Sequence, residues 1–253
     1  MCTEATLEQD ILALALTPRD KRKKLAVQIL NLTWENGLYP ASIAPIYRAL
    51  GRGELPPMTI PAFNVRGLTY PLARAIWRAA MQSHCGPIIF ELAPSESTGC
   101  DQTFEEYAAL VIAAAFKEGY QGPVFLQGDH FSLDSADDLK WLEDLALQVI
   151  ESGFYQIDID GSHLFNQKAE NLTDFHTPNA EITGKLIKSI RDMQPRDVHI
   201  ALGGEVGEIG GRNTSVDDLV AFQVVLQKHL SDTTPGLDKI SAQTGTTHRG
   251  IVL

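Results

Sequence analysis

The run Gly128-Asp129-His130 sets a carboxylate beside an imidazole at the end of an apolar stretch, Val124-Phe125-Leu126. A neutral imidazole is a good zinc ligand, and an adjacent carboxylate can exchange protons next to a metal. A capped turn, with His130 bonded to a carbonyl, would use the same residues. Glycine-rich residues 203–211 (GGEVGEIGG) carry Glu205 and Glu208. Those acids suit a metal ligand or a base on a mobile loop, or simply a solvated surface. A phosphate cradle fits the segment poorly, because both carboxylates repel an anion. In Thr244-Gly245-Thr246-Thr247-His248 the hydroxyl and backbone N–H groups suit phosphate oxygens. His248 could share a metal with His130 if both lie at the same end of the fold; singly it reads as a surface residue. Asp158 and Asp160 project to one side of a strand. Asp160 could orient a ligand histidine, although capping and turn formation explain Asp160-Gly161-Ser162 equally well. His84, His163, His176, His199 and His229 read as structural.

The elements that must hold these groups follow a repeating pattern. Residues 58–65, 87–92, 124–127, 155–159, 198–202 and 239–243 read as short strands. Residues 70–83, 104–118, 136–152, 180–193 and 216–230 read as helices between them. Such alternation means parallel strands joined by helical crossovers. Nearly every strand end carries a polar group: Asn64, Glu96, Asp129, Asp160, Glu205 and Thr244. Convergence of side chains from many strand ends favours a (β/α)8 (TIM) barrel over an open doubly wound sheet, and no GxGxxG segment opens a helix. About six strand–helix units are legible where a closed barrel needs about eight. The expectation is therefore a partial barrel over residues 58–253, preceded by a helical extension at 1–57. Trp77 and Trp141 lie on helix faces and read as core.

Bulk properties narrow the partners. The chain has 253 residues, 44% of them hydrophobic, and a formal net charge of -11. Such an acidic surface repels nucleic acid, yet a local positive pocket or a cation could still hold a phosphorylated metabolite. Three cysteines without a CxxC pair suit a reducing cytoplasm better than a disulfide framework. No apolar stretch approaches membrane-spanning length.

Taken together, the motifs resemble those of class II, zinc-dependent fructose-bisphosphate aldolases, in a longer-chain subgroup. The carriers are PAFNV at 61–65, GDH at 128–130, DGSH at 160–163, GGEVGEIGG at 203–211 and TGTTH at 244–248. The resemblance implies a TIM barrel that forms a homodimer or larger homo-oligomer. It implies zinc held by His130 and His248 with Glu205 nearby, and a third histidine in a later motif beyond this sequence. Asp129 would exchange the proton of the substrate's C4 hydroxyl, and Glu208 would serve as the second acid–base group. Asn64, Gly245, Thr246 and Arg249 would contact a phosphorylated ketose. The implied reaction is reversible cleavage of fructose 1,6-bisphosphate into dihydroxyacetone phosphate and glyceraldehyde 3-phosphate.

The sequence departs from the family pattern in several places. Gln127 stands where the family often has a histidine. Arg212, Asn213 and Thr214 replace a frequent Glu-Asp pair, and Arg249 replaces a glycine. A non-catalytic barrel subunit related to tagatose-bisphosphate aldolase, or an inactive truncated remnant, is the competing expectation.

Overall fold

The structure is a computed structural model that describes residues 4–133, 135, 138–207 and 210–245. Contacts divide the chain into two compact units. One comprises Met1–Ile43, Gly53–Asp129 and Gln148–Tyr155; the other comprises Ala44–Arg52, His130–Leu147 and Gln156–Leu253.

In the first unit, β1 (Ala62–Asn64), β2 (Ile89–Leu92) and the start of β3 (Phe125–Ser132) lie side by side and parallel. β1 is shorter than the expected 58–65. Pro61 has no N–H to donate, and pairing starts at its carbonyl, which accepts from Ile89 N at 2.9 Å. Helices α4 (Thr69–Gln82) and α6 (Phe104–Lys117) alternate with these strands. A capping box starts α6: Thr103 Oγ1 accepts from Glu106 N, and Glu106 accepts from Thr103 N, both at 3.2 Å. Five alanines keep α6 slim, and all five are buried. The slim helix admits α4 on one side and α2 (Arg19–Glu35) on another. The Tyr107 hydroxyl donates to the carbonyl of Glu91 at 3.0 Å, tying α6 to β2. Trp77 is 2% exposed and stacks on Tyr120. Helix α1 (Glu4–Leu16) buries Leu7, Ile11 and Leu14 and packs on α2 and α6. The first two helices of the expected extension thus share the core of this unit. A short helix, α5 (Pro94–Gly99), follows β2 and was not expected.

In the second unit, β4 (Gln156–Asp160), β5 (Ala201–Val206) and β6 (Lys239–Ala242) are parallel neighbours, and β4 and β5 are buried throughout. The end of β3 joins β4 through Leu133 N to Asp160 O at 3.1 Å. β3 therefore runs past Gly128, where the expected strand stopped at 127. Gly128 pairs with Leu92, and β4 supplies a partner for the continuation. β5 begins later than expected and includes Gly203 and Gly204. A Cβ on Gly203 would lie 2.3 Å from Asp158 Oδ1, and one on Gly204 would lie 2.5 Å from Leu237 Cδ1. Only bare backbone leaves room for those side chains.

Helices α3 (Ala44–Gly51), α7 (Leu139–Glu151), α8 (Leu172–Met193) and α9 (Val216–His229) complete the described elements. α8 starts before the expected residue 180 because Asn171 caps it, accepting from Asp174 N at 2.9 Å, and the helix absorbs Pro178. α3 is held by Arg48, which bonds Asp238 at 3.1 Å and also His199. Trp141 corrects a sequence expectation: on α7 it is 55% exposed and contributes to no core. Six parallel strands alternating with helices, among the described residues, make this an α/β fold. Among the described residues, no helix is long and apolar enough to cross a membrane.

Candidate metal centre

The ends of β3, β4 and β5 bring three ligand-type side chains together in the second unit. His130 Nδ1 lies 3.2 Å from Asp160 Oδ2 and 3.4 Å from Glu205 Oε1. One ligand atom from each residue falls within 4.8 Å of the others. Parallel strands in register put their C-terminal residues at one level, so residues distant in sequence meet there.

Each member is positioned from behind. Asp160 Oδ1 accepts from Ser162 Oγ at 2.6 Å and from Ser162 N at 3.0 Å. Asp160 Oδ2 accepts from Ser132 Oγ at 3.1 Å. Burial pushes the Asp160 carboxyl up, but His130 and the two Ser162 donors outweigh it and hold the group well below the usual carboxylate range. Behind Glu205, the Asn179 amide donates to the Glu205 carbonyl at 2.8 Å. His130 itself has left-handed backbone, φ +46°. That conformation is uncommon outside glycine and survives where the surroundings over-determine it.

The donor set suits a divalent cation. Metal–ligand bonds of about 2.0–2.2 Å keep ligand atoms within roughly 4.4 Å of each other, so a slight inward shift suffices. One imidazole and two carboxylates are acceptable to zinc and to harder divalent ions. Asp160 is the member that sequence reasoning assigned only an orienting role. Its signal was the two-residue alternation that puts Asp158 and Asp160 on one face. Asp158 instead pairs with Lys239 at 2.8 Å.

A second polar cluster belongs to the first unit. Asn64 Nδ2 donates to Glu96 Oε2 at 2.8 Å and lies 3.5 Å from Asp129 Oδ2. Glu96 also accepts from Ala93 N at 2.9 Å and from Arg66 Nε. Burial pushes the Glu96 carboxyl up, and the donors from Ala93, Asn64 and Arg66 together bring it below its ordinary value. Gln127, at the position of the family's histidine, is buried and donates to Glu91 Oε2 at 2.6 Å.

The remaining expected site residues divide in two. Gly245 has φ +96°, and a Cβ there would meet Asn213 Oδ1 at 3.2 Å. Glu208, Thr246, His248 and Arg249 lie outside the described residues. Two of the histidines read as structural are held that way. His176 Nε2 is 2.9 Å from Asp218 Oδ1, and His199 Nε2 is 3.0 Å from Asp238 Oδ2.

Fold and site together define an α/β protein with a candidate divalent-cation centre at its strand ends. A family profile described as fructose-bisphosphate aldolase class-II matches residues 53–250, and the chain belongs to that family. No curated protein matches the chain. Among solved structures, the carboxyl transferase domain of pyruvate carboxylase from Rhizobium etli, with pyruvate, is similar at 12% identity and a TM-score of 0.42. The match covers 78% of this chain and 29% of that one, and is too slight to bear on function.

Proposed function

We propose that the chain is a zinc-dependent aldolase that cleaves fructose 1,6-bisphosphate reversibly into dihydroxyacetone phosphate and glyceraldehyde 3-phosphate. The observation that carries this reading is the His130–Asp160–Glu205 cluster in a member of the class II family. The reading extends the strand–helix alternation to a TIM barrel over residues 58–253 with a helical extension at 1–57, and expects a cytoplasmic homo-oligomer.

His130, Glu205 and Asp160 would hold the cation, with His248 as a further ligand. When bound, the ion supplies Lewis-acid polarisation of the substrate carbonyl. Asp129, next to His130 in the chain, takes the proton from the C4 hydroxyl. The C4 oxygen then becomes the aldehyde carbonyl as the C3–C4 bond breaks, and the bonding pair passes to C3 and its neighbouring carbonyl. Glu208 returns a proton to C3, completing dihydroxyacetone phosphate. Asn64, within reach of Asp129, orients the substrate. Gly245, Thr246 and Arg249 take its phosphate.

Metal analysis and an assay for triose phosphate release test the proposal. Stoichiometric metal, with turnover abolished by a chelator and by Asp129→Ala, supports it. The buried Gln127–Glu91 pair favours one alternative, a non-catalytic barrel subunit. That reading is supported if the folded chain neither binds metal nor turns over and instead associates with another aldolase chain.

A further inference from the structure

The Glu96 carboxylate grips two donors from the chain that leaves β1: the amide of Asn64 and the Nε of Arg66. Its grip on Arg66 is through Nε alone. Among the described residues nothing engages the two terminal nitrogens of Arg66, and the side chain is 67% exposed. Contrast Arg212, after β5, whose two terminal nitrogens both bond Asp218, at 2.7 and 2.5 Å. Arg66 is anchored through Nε, and the nearby Asp129 carboxylate also acts on its guanidinium, while both terminal nitrogens are without a hydrogen bond among the described residues. The backbone is pinned as well, since Cys100 Sγ lies 3.1 Å from the Arg66 carbonyl.

We infer that Arg66 is a phosphate-binding arm, built by Glu96 and placed two residues past Asn64. A guanidinium held on one edge matches two phosphate oxygens with its other edge and loses little side-chain freedom on binding. A chain of net charge -11 needs such local cations to hold a sugar phosphate. Glu96 has a second consequence. Because one carboxylate fixes both Arg66 and the Asn64 amide facing Asp129, anion binding at Arg66 is mechanically tied to the group proposed to orient substrate. Glu96 is therefore a positioning residue, and Arg66 the ligand-contacting one. The identity of the anion as a substrate phosphate rests on the aldolase reading; the anion site itself does not.

The test is equilibrium binding of inorganic phosphate to the full chain, followed by 31P line broadening, alongside fructose 1,6-bisphosphate kinetics. Arg66→Met is expected to weaken phosphate binding by about tenfold or more and to raise KM with little change in kcat, as loss of a charge-assisted bond requires. Arg66→Lys recovers part of the binding, and Glu96→Gln lowers it less than Arg66→Met does. Circular dichroism of each variant checks that the fold is kept. Phosphate binding in Arg66→Met equal to that of the parent, or none in the parent, overturns the arm. Phosphate binding lost in Arg66→Met with no sugar cleavage by the parent leaves the arm standing and removes the aldolase reading. Cleavage with KM unmoved in Arg66→Met does the reverse.

Discussion

His130 Nδ1 and Asp160 Oδ2 face each other across 3.2 Å although thirty residues separate them. The same nitrogen lies 3.4 Å from Glu205 Oε1, so a divalent ion bound here would take the place of any proton the three groups share. His130→Asn separates ligand from scaffold, because asparagine tolerates the left-handed backbone found at this position. Metal affinity should drop by about 100-fold or more with the unfolding midpoint little changed. Competition against a chromophoric chelator measures this, and undiminished affinity would remove His130 from the centre.

Gly161 follows Asp160 directly, and a Cβ there would sit 2.3 Å from Asn179 Oδ1. That oxygen already accepts from Thr183 at 3.0 Å, and the same amide supports the Glu205 carbonyl. Gly161→Ala should destabilise by about 1–3 kcal/mol, as overpacking does, and should weaken metal binding through Glu205. Urea unfolding gives the first quantity. An unchanged midpoint would show that Asn179 can step aside.

Glu118 receives Arg78 at 2.9 Å and Arg74 at 2.6 Å. The hydrogen bonds from Arg78 and then Arg74 pull its carboxyl down to about 2. That lies below the unfolded value of roughly 4.3, so the ionised form is favoured by folding. The stabilisation is complete above roughly pH 4.3 and disappears as pH falls through about 2. Glu118→Gln should therefore be less stable than the parent at pH 7, with a smaller gap at pH 3. Equal gaps at both values would mean the pairs add nothing.

The two tryptophans that look alike in sequence should behave oppositely. Trp77→Ala removes a fully packed ring and should cost about 3–5 kcal/mol. Trp141→Ala alters an exposed face of α7 and should stay within about 0.5 kcal/mol. Matching losses for the two would contradict the burial difference.

Alternation of short apolar runs with amphipathic stretches made the α/β class and most element positions legible in the sequence, because a strand buried on both faces and a helix buried on one leave different periods. It also made Asn64, Asp129, His130 and Glu205 legible as polar groups in the later part of their units, although β3 and β5 extend to include the last three. The limits of the elements were less so. β3 outruns Gly128 because β4 offers it a partner, and α8 outruns Pro178 because Asn171 caps it. The first depends on a neighbouring strand; the second has a local signal, Asn171 three residues before Asp174, that Pro178 masks.

The sequence by itself determined which polar residues fall toward the C-terminal part of each strand–helix unit, since that depends on chain order and on the alternation of apolar runs. Only the tertiary structure decided which of them meet. Parallel register lifts Asp160 to His130 as a third ligand candidate while its near neighbour Asp158 goes to Lys239. Likewise it set Glu96 between Asn64 and Arg66. The physical reason is that a metal ligand set or an anion site is defined by distances of a few ångströms between strands, and those distances exist only once the strands are paired.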